Sequence, residues 1–507
     1  MKRKNLLILM ADQLNPRYLP AYGSPVGRTP NLDRLAREGV VFDSAYCNSP
    51  LCAPSRYALM SGRLPSGIGA FDNACELSAD TPTFAHYLRA SGYRTILSGK
   101  MHFCGPDQLH GFEERLTTDI YPADFGWTPD WRRPHERLDW YHNMSSVTQA
   151  GPCVRTNQLD FDDEVVALSR QKLFDLVRER DERPFCLLVS LTHPHDPFAI
   201  PRQYWDLFED VEIPPVRVEP SAIQDDPHSA RIRAMCDLIG NEPSAEQVQA
   251  ARRAYHGAIA YVDEQFGILL DTLEQTGQAG NTVVIVLSDH GEMLGERGLW
   301  YKMNFFEGAC RVPLIVHSPA DFPARRVAQS VSHVDLLPTL LDLAGAQPAD
   351  DPGLSGNSLL GQLQGQDGHD LVLGEYLGEG ALAPIVMIRR GRYKFIHSPA
   401  DPDQLFDLAT DLDEIVNLAT DPAQQERLQS LRSEAARRWS FDALEQQVLH
   451  SQQRRRLIHA AGQQGRITSW DFQPHQDASR RYMRNHLKLD DLEAMARYPR
   501  WGTTSSD

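Results

Sequence analysis

Leu6-Leu7-Ile8-Leu9-Met10-Ala11 runs straight into Asp12, and Thr282-Val283-Val284-Ile285-Val286-Leu287 runs into Ser288-Asp289-His290-Gly291. Short, continuous apolar runs bounded by polar residues read as strands buried on both faces. Between them, helical patterns at 81–91, 164–180 and 245–275 alternate with short strands at 95–97 and 185–191. The alternation predicts an α/β fold in which helices flank both faces of one large mixed sheet. Ligands of such sheets gather at the carboxyl ends of the strands, so chemistry is expected at the two acidic strand ends.

The chain of 507 residues is too long for one small core, and its 41% apolar content is ordinary for a globular protein. A large domain is expected over 1–370, a smaller α+β subdomain with a small antiparallel sheet over 371–440, and a helix and extended tail over 441–507. The stretch 345–368, rich in Gly, Asp, Pro and Gln, reads as a linker. Beyond it, 384–388 and 393–397 flank Arg389-Arg390-Gly391-Arg392 as a hairpin. The tail carries Trp470, Phe472, Tyr482, Tyr498 and Trp501, and a loose aromatic tail is expected to pack on something, such as a neighbouring subunit.

A net charge of −17 with no basic block argues against nucleic acid as a partner. No apolar run approaches the roughly 20 residues of a membrane span, and the basic start Met1-Lys2-Arg3-Lys4 is followed by too short a run for an export signal. Eight cysteines without a Cys-x-x-Cys pair read as reduced thiols of a cytoplasmic protein.

Cys52-Ala53-Pro54-Ser55-Arg56, continuing to Ser61-Gly62-Arg63, is the strongest chemical signal. A proline two residues past Cys52 suits the first turn of a helix, so Cys52 is expected at a helix N-terminus, where N–H groups and the dipole attract an anion. Arg56 follows one turn on, facing the same way. A plain buried thiol is the alternative, and it is the reading for the other seven cysteines. The motif resembles the signature of the type I sulfatases, within the alkaline phosphatase superfamily. That resemblance implies a maturation enzyme that oxidises Cys52 to formylglycine (3-oxoalanine) and an alkaline-phosphatase-like fold. A hydrated aldehyde can attack sulfur with one hydroxyl and expel sulfate through the other, so water need not attack a sulfo-enzyme.

The resemblance also implies one divalent metal. A hard cation held by carboxylates from converging strand ends fits Asp12, Asp289 and His290, together with position 52. Family members often carry Asp-Asp at the first site and Asp-Asn at the second, where this chain has Asp12-Gln13 and Asp289-His290. Calcium (Ca2+) is the family expectation, and the imidazole also suits manganese (Mn2+). Lys100 and His102, two apart after a strand, share one face if extended. By resemblance, Lys100 holds the aldehyde hydrate and the sulfate, and His102 takes a proton as the sulfo-enzyme collapses. His193 and Lys302 are the candidates for protonating the leaving oxygen; His195 and Asp196 either cap that loop or support His193.

The stretches Gly99-Lys100-Met101-His102-Phe103, 105–115, 119–131 and Gly374-Glu375-Tyr376, with the tail, resemble the choline sulfatase branch over nearly the whole chain. The substrate implied is choline sulfate, and the assembly a homo-oligomer, dimer or tetramer. A quaternary ammonium cannot be hydrogen-bonded, so it needs aromatic faces and a carboxylate. Trp127 is expected to line the cage, with His142 and Asn143, and Glu379 to be the carboxylate; Trp131 and Trp140 read as core or interface packing. The rivals are an arylsulfatase or a phosphonate monoester or phosphate diester hydrolase of the same superfamily, and a non-catalytic anion-binding protein with an unmodified Cys52.

Overall fold

The computed structural model describes residues 3–346, 353–475, 482 and 488–499. Asn5–Ala11 lies inside a nine-stranded sheet, with Phe185–Leu191 and Thr282–Ser288 parallel to it on either side. All three strands are buried along their whole length. Both faces of the sheet are covered there, which is why these segments are continuously apolar instead of alternating. The sheet extends through Leu314–His317, Val40–Tyr46 and Arg325–Ser332 on one side, and through Arg94–Gly99 and Glu114–Arg115 on the other. Leu314–His317 runs antiparallel to both of its neighbours, so the sheet is mixed. Helices Pro30–Glu38, Asn157–Arg178 and Ala245–Gln275 pack into one layer, and Cys52–Ser61, Phe84–Ala90 and Leu336–Ala344 into another.

The register of the central strands positions the site. Ala11 pairs with Leu191 on one side and Ser288 on the other, and Gly99 pairs with Ser190. The strand ends are therefore level to within one residue: Asp12, Thr192 and Asp289 emerge side by side, and Lys100 emerges one residue short of them.

Leu371–Tyr376, Ile385–Arg390, Tyr393–Ser398 and Asp401–Asp407 form a second, antiparallel sheet, with helix Gln425–Arg438 against it. The expected hairpin is present, but Arg389 and Arg390 belong to its first strand. Arg390 pairs with Tyr393, leaving Gly391-Arg392 as a two-residue turn with Gly391 at φ 56°. Lys394, fully buried, ties this sheet to the large domain through Glu307 at 2.6 Å, and also pairs with Glu414 of its own subdomain at 2.8 Å.

Helix Phe441–Gly462 follows, and the tail packs on its own chain. Trp470 meets Phe125 at 5.2 Å, the Arg115 guanidinium lies 5.3 Å from the Phe472 ring, and the Tyr498 hydroxyl donates to the Thr276 carbonyl at 2.7 Å. Tyr482 is exposed. Trp501 and residues 347–352 of the expected linker lie outside the described residues. Among the described residues no helix is long and apolar enough to cross a membrane, and all eight cysteines are free.

Candidate active site

Cys52 opens the helix Cys52–Ser61, every residue of which is buried. Leu51 before it is extended, and the Asn73 side chain accepts the Ala53 N–H at 3.0 Å. The Cys52 sulfur is 1% exposed, 3.1 Å from His290 Nε2 and 3.8 Å from Lys100 Nζ. Burial opposes ionisation of this thiol, but Lys100 and Lys302 outweigh it and bring its pKa down to about 6. The other buried thiols with resolved shifts are pushed up, mainly by burial. Position 52 is thus singled out by its surroundings as well as by its motif.

Arg56, one turn along, is wholly buried between the two strand-end carboxylates. Its Nε donates to Asp289 Oδ2 at 2.8 Å and its Nη2 to Asp12 Oδ2 at 3.0 Å. Burial alone would raise both carboxyls; Lys100, His195, Arg56 and His290 hold Asp12 well below its usual range, and Arg56 leads in lowering Asp289. Two observations bear on a metal here. Asp12 Oδ1 is buried without a hydrogen-bond partner. One ligand atom from each of Asp12, Cys52, Asp289 and His290 lies within 4.8 Å of the others. His290 Nδ1 is 3.0 Å from the Gly291 carbonyl, which takes its proton and leaves Nε2 as the ligand atom. Two carboxylates, an imidazole and an oxygen at position 52 suit a divalent cation, so the residues fit the group.

Lys100 follows the strand Arg94–Gly99 and pairs with Asp12. Its loop is held by Asp119, whose Oδ2 accepts the N–H groups of Met101 and His102, each at 2.9 Å, and an Arg115 guanidinium N–H at 3.0 Å. His102 sits at φ 59°, buried, with neither ring nitrogen hydrogen-bonded. Burial lowers its pKa, against the pull of Cys52, so a neutral imidazole faces the nucleophile and can accept a proton.

Lys302 Nζ donates to Gln13 Oε1 at 2.7 Å and lies 2.8 Å from His195 Nε2. Burial disfavours its charge, but Cys52, Asp196 and Asp12 more than compensate, so it stays protonated. His193 is not brought to this cluster. Its Nδ1 is 2.7 Å from Asp162 and its ring packs on Tyr261, both in the helical layer. The histidine beside Lys302 is His195, two residues on. Gln13 and Glu292 were missed by sequence reasoning. The Gln13 backbone N–H donates to Asp289 Oδ1 at 3.0 Å, while its side chain joins Lys302 to Glu292, whose carboxylate also accepts the Leu294 and Tyr301 N–H groups at 2.7 Å. The second aspartate missing from the family pattern was the available signal: the carboxamide in its place binds Lys302.

An aromatic wall covers the other side of His102. Its ring lies 5.6 Å from Trp127 and 5.1 Å from Tyr121, and Trp127 stacks on Trp140 at 6.1 Å. Lys100 Nζ stands 4.2 Å from the centre of the Tyr121 ring. His142 stacks on Tyr301 at 4.3 Å and is 5.8 Å from His195. Asn143 is exposed, and its carboxamide oxygen caps the Ser145 N–H at 2.8 Å, which leaves its side chain outside the cluster. Glu379, 4% exposed, has an Oε2 with no partner; burial, with Asp72 adding, pushes its pKa up to about 7, and Lys302 is close enough to oppose that shift. Trp131 packs in the core as expected, its Nε1 donating to the Gly378 carbonyl at 2.9 Å. Trp140, expected to pack, instead forms part of the wall.

A thiol of lowered pKa at a helix start, beside strand-end carboxylates and buried Arg and Lys side chains, is an arrangement suited to the hydrolysis of oxyanion esters, carried on an α/β fold. A sulfatase family model matches residues 4–346, so the chain belongs to the sulfatase family, and its central chemistry is sulfuric ester hydrolysis. A model of the choline sulfatase enzyme C terminal matches 446–498, and one of the N-sulphoglucosamine sulphohydrolase C-terminal region matches 295–439. The chain is 49% identical to a choline-sulfatase of Rhizobium meliloti (strain 1021), covering 98% of this chain and 99% of that one. It is 27% identical to an arylsulfatase of Clostridium perfringens, over 85% and 93% of the two chains. A phosphonate monoester hydrolase of Agrobacterium radiobacter superposes with a TM-score of 0.68 at 25% identity, over 88% and 96% of the two chains. The family implies formylglycine at position 52 and a divalent metal beside it.

Proposed function

We propose that this protein hydrolyses choline sulfate to choline and inorganic sulfate. The observation that carries the reading is the junction of two unlike ends around His102 and Lys302. One end gathers Arg56, Lys100 and Lys302 about Cys52; the other sets aromatic faces and the unpartnered Glu379 carboxyl where a cation would rest. The full-length likeness to a choline-sulfatase supports it.

Formylglycine, once made from Cys52, supplies a hydrated aldehyde, one hydroxyl of which attacks sulfur while the other later releases sulfate. Asp12, Asp289, His290 and position 52 would hold a divalent cation, which would supply charge neutralisation at the sulfate. Arg56 fixes the two carboxylates. Lys100 holds the hydroxyls of position 52 and a sulfate oxygen, and His102, with both nitrogens free, accepts a proton from position 52. Lys302, kept protonated and braced by Gln13 and His195, donates to the choline oxygen. An alkoxide is a poor leaving group, so this proton matters more than it would for an aryl ester. Trp127 and Glu379 hold the trimethylammonium group, with His142 flanking it.

We assign calcium as the metal, with manganese the choice that the imidazole ligand would favour. A cytoplasmic setting is supported by the eight free thiols, and maturation by a formylglycine-generating enzyme by the Cys52 motif. Assembly as a homo-oligomer is proposed, with 1–370 as the catalytic domain, 371–440 as the subdomain and 441–507 as the region that completes the pocket and the assembly.

The test is release of sulfate and choline from choline sulfate by native protein, beside turnover of a phenyl phosphonate ester. A higher specificity constant on the phosphonate would overturn the assignment. Mass spectrometry of the peptide spanning position 52 should read about 18 Da below the thiol form, whereas ordinary oxidation of cysteine adds mass.

A further inference from the structure

Between Arg115 and Ser145 the chain forms no helix or strand, yet this stretch carries Tyr121, Trp127, Trp140 and His142. Without a backbone ladder, its position depends on side chains from elsewhere. One helical turn of Phe441–Gly462 supplies those nearest Trp127. Arg455, 6% exposed, forks onto both oxygens of the fully buried Asp72 at 2.7 Å each, and its Nη1 also donates to Thr128 Oγ1 at 3.1 Å. Gln452, one turn earlier, accepts the Trp131 N–H at 2.9 Å. Thr128 follows Trp127 in the chain, and Trp131 in turn donates to the Gly378 carbonyl, next to Glu379. On the opposite side, Asp72 precedes Asn73, whose side chain caps Ala53 beside the nucleophile. The Cys75 carbonyl, in the same turn, lies 3.2 Å from the Tyr57 hydroxyl, which donates to the His102 carbonyl at 2.7 Å.

We infer that Arg455 is a positioning residue that sets the spacing between the sulfate end and the cation end of the pocket, and so favours substrates that engage both. The inference rests on the choline sulfate reading of the site. The two ends differ in what else holds them: the sulfate end is fixed by strand pairing and by Arg56, whereas the aromatic wall has no strand pairing and is held by scattered contacts, among which the Arg455 fork and Gln452 are the ones that join Thr128 and Trp131, beside Trp127, to the turn at Asp72. Loosening the fork therefore shifts the wall and leaves the nucleophile in place. A misplacement of about 1 Å can cost about 100-fold in rate.

Arg455→Gln alone would strand the buried Asp72 carboxylate and weaken the fold, so the decisive variant is the charge-neutral pair Asp72→Asn with Arg455→Gln. Steady-state kinetics of the full-length matured enzyme are measured on choline sulfate and on 4-nitrophenyl sulfate, which has no cation. The expected result is a fall of about 10- to 100-fold in kcat/KM for choline sulfate, carried largely by KM, against a fall of no more than about 3-fold for the aryl ester. Arg455→Lys keeps the charge but loses the fork, and should move the same ratio less; it decides the question if the double variant does not fold. Arg454→Ala, on the exposed face of the same helix, should leave both substrates unchanged. Equal losses on both substrates, or none on choline sulfate, would overturn the inference. Choline sulfate turnover by the wild-type enzyme tests the substrate by itself, so the two failures are told apart.

Discussion

The two halves of the candidate site are built by different means. At the sulfate end, Asp12, Asp289 and Lys100 leave paired, nearly level strands, and Arg56 bonds to both carboxylates and to Ser190 at 2.9 Å. At the end proposed to hold the cation, Trp127, Trp140 and His142 lie on irregular chain; Trp127 stacks on Trp140, His142 stacks on Tyr301, and Thr128, next to Trp127, is bonded by Arg455 of a distant helix. The backbone of the large sheet guarantees the first arrangement. The second is a loop assembly on a rigid scaffold, the usual place for selectivity to change while chemistry is kept.

Substitutions at the two ends should therefore differ in whether they distinguish substrates. Cys52→Ala should abolish turnover of choline sulfate and 4-nitrophenyl sulfate alike, by about 10,000-fold or more, as read by sulfate release. Lys302→Met should lower kcat on choline sulfate by about 100- to 10,000-fold and affect the aryl ester, with its better leaving group, far less. Equal losses there would remove Lys302 from the proton-donor role. Trp127→Ala should raise KM for choline sulfate by about 10-fold, from about 1 to 2 kcal/mol of cation–π attraction, with little change for the aryl ester. Equal effects on the two substrates would show that the wall does not read the cation.

The smallest effect expected is a pH dependence from Glu379. Its carboxyl is raised to about 7 from an unperturbed 4.5, so it is neutral below pH 7 and charged above. KM for choline sulfate should rise as pH falls through 7, and Glu379→Gln should remove that slope. The stability effect has the opposite sense. The folded chain binds this proton more tightly than the unfolded chain, so the carboxyl's contribution is lost as pH rises from about 4.5 to 7. Glu379→Gln without ligand should accordingly raise Tm at pH 8, measured calorimetrically.

Much of the sulfate end was legible in the sequence because its residues follow apolar strand runs or share one helix turn. Asp12, Cys52, Arg56, Lys100, Asp289 and Lys302 meet as that reading requires. His193 was chosen over His195 because spacing cannot tell which of two alternate residues in a loop turns inward; Asp162, about 30 residues upstream on a helix, claims the first. Gln13 looked like a departure from the family pattern, and its bonds to Lys302 and Glu292 cross most of the large domain. Asp72 and Arg455 are 383 positions apart, and no local pattern marks such a pair. Trp140, expected to pack in a core or interface, stacks on Trp127, and Asn143, expected in the cage, caps the Ser145 N–H.

The flush strand ends also govern how this protein can change over time. The aspartates at positions 12 and 289 are separated by most of the large domain in sequence, but they are neighbours through ladder hydrogen bonds, so insertions in the intervening loops leave them adjacent. A single residue inserted within Asn5–Ala11 would do the reverse. It would turn every following side chain of that strand to the opposite face and carry the first carboxylate away from its partner. Length variation is thus tolerated in the connecting loops and forbidden within the paired strands, Thr282–Ser288 as much as Asn5–Ala11.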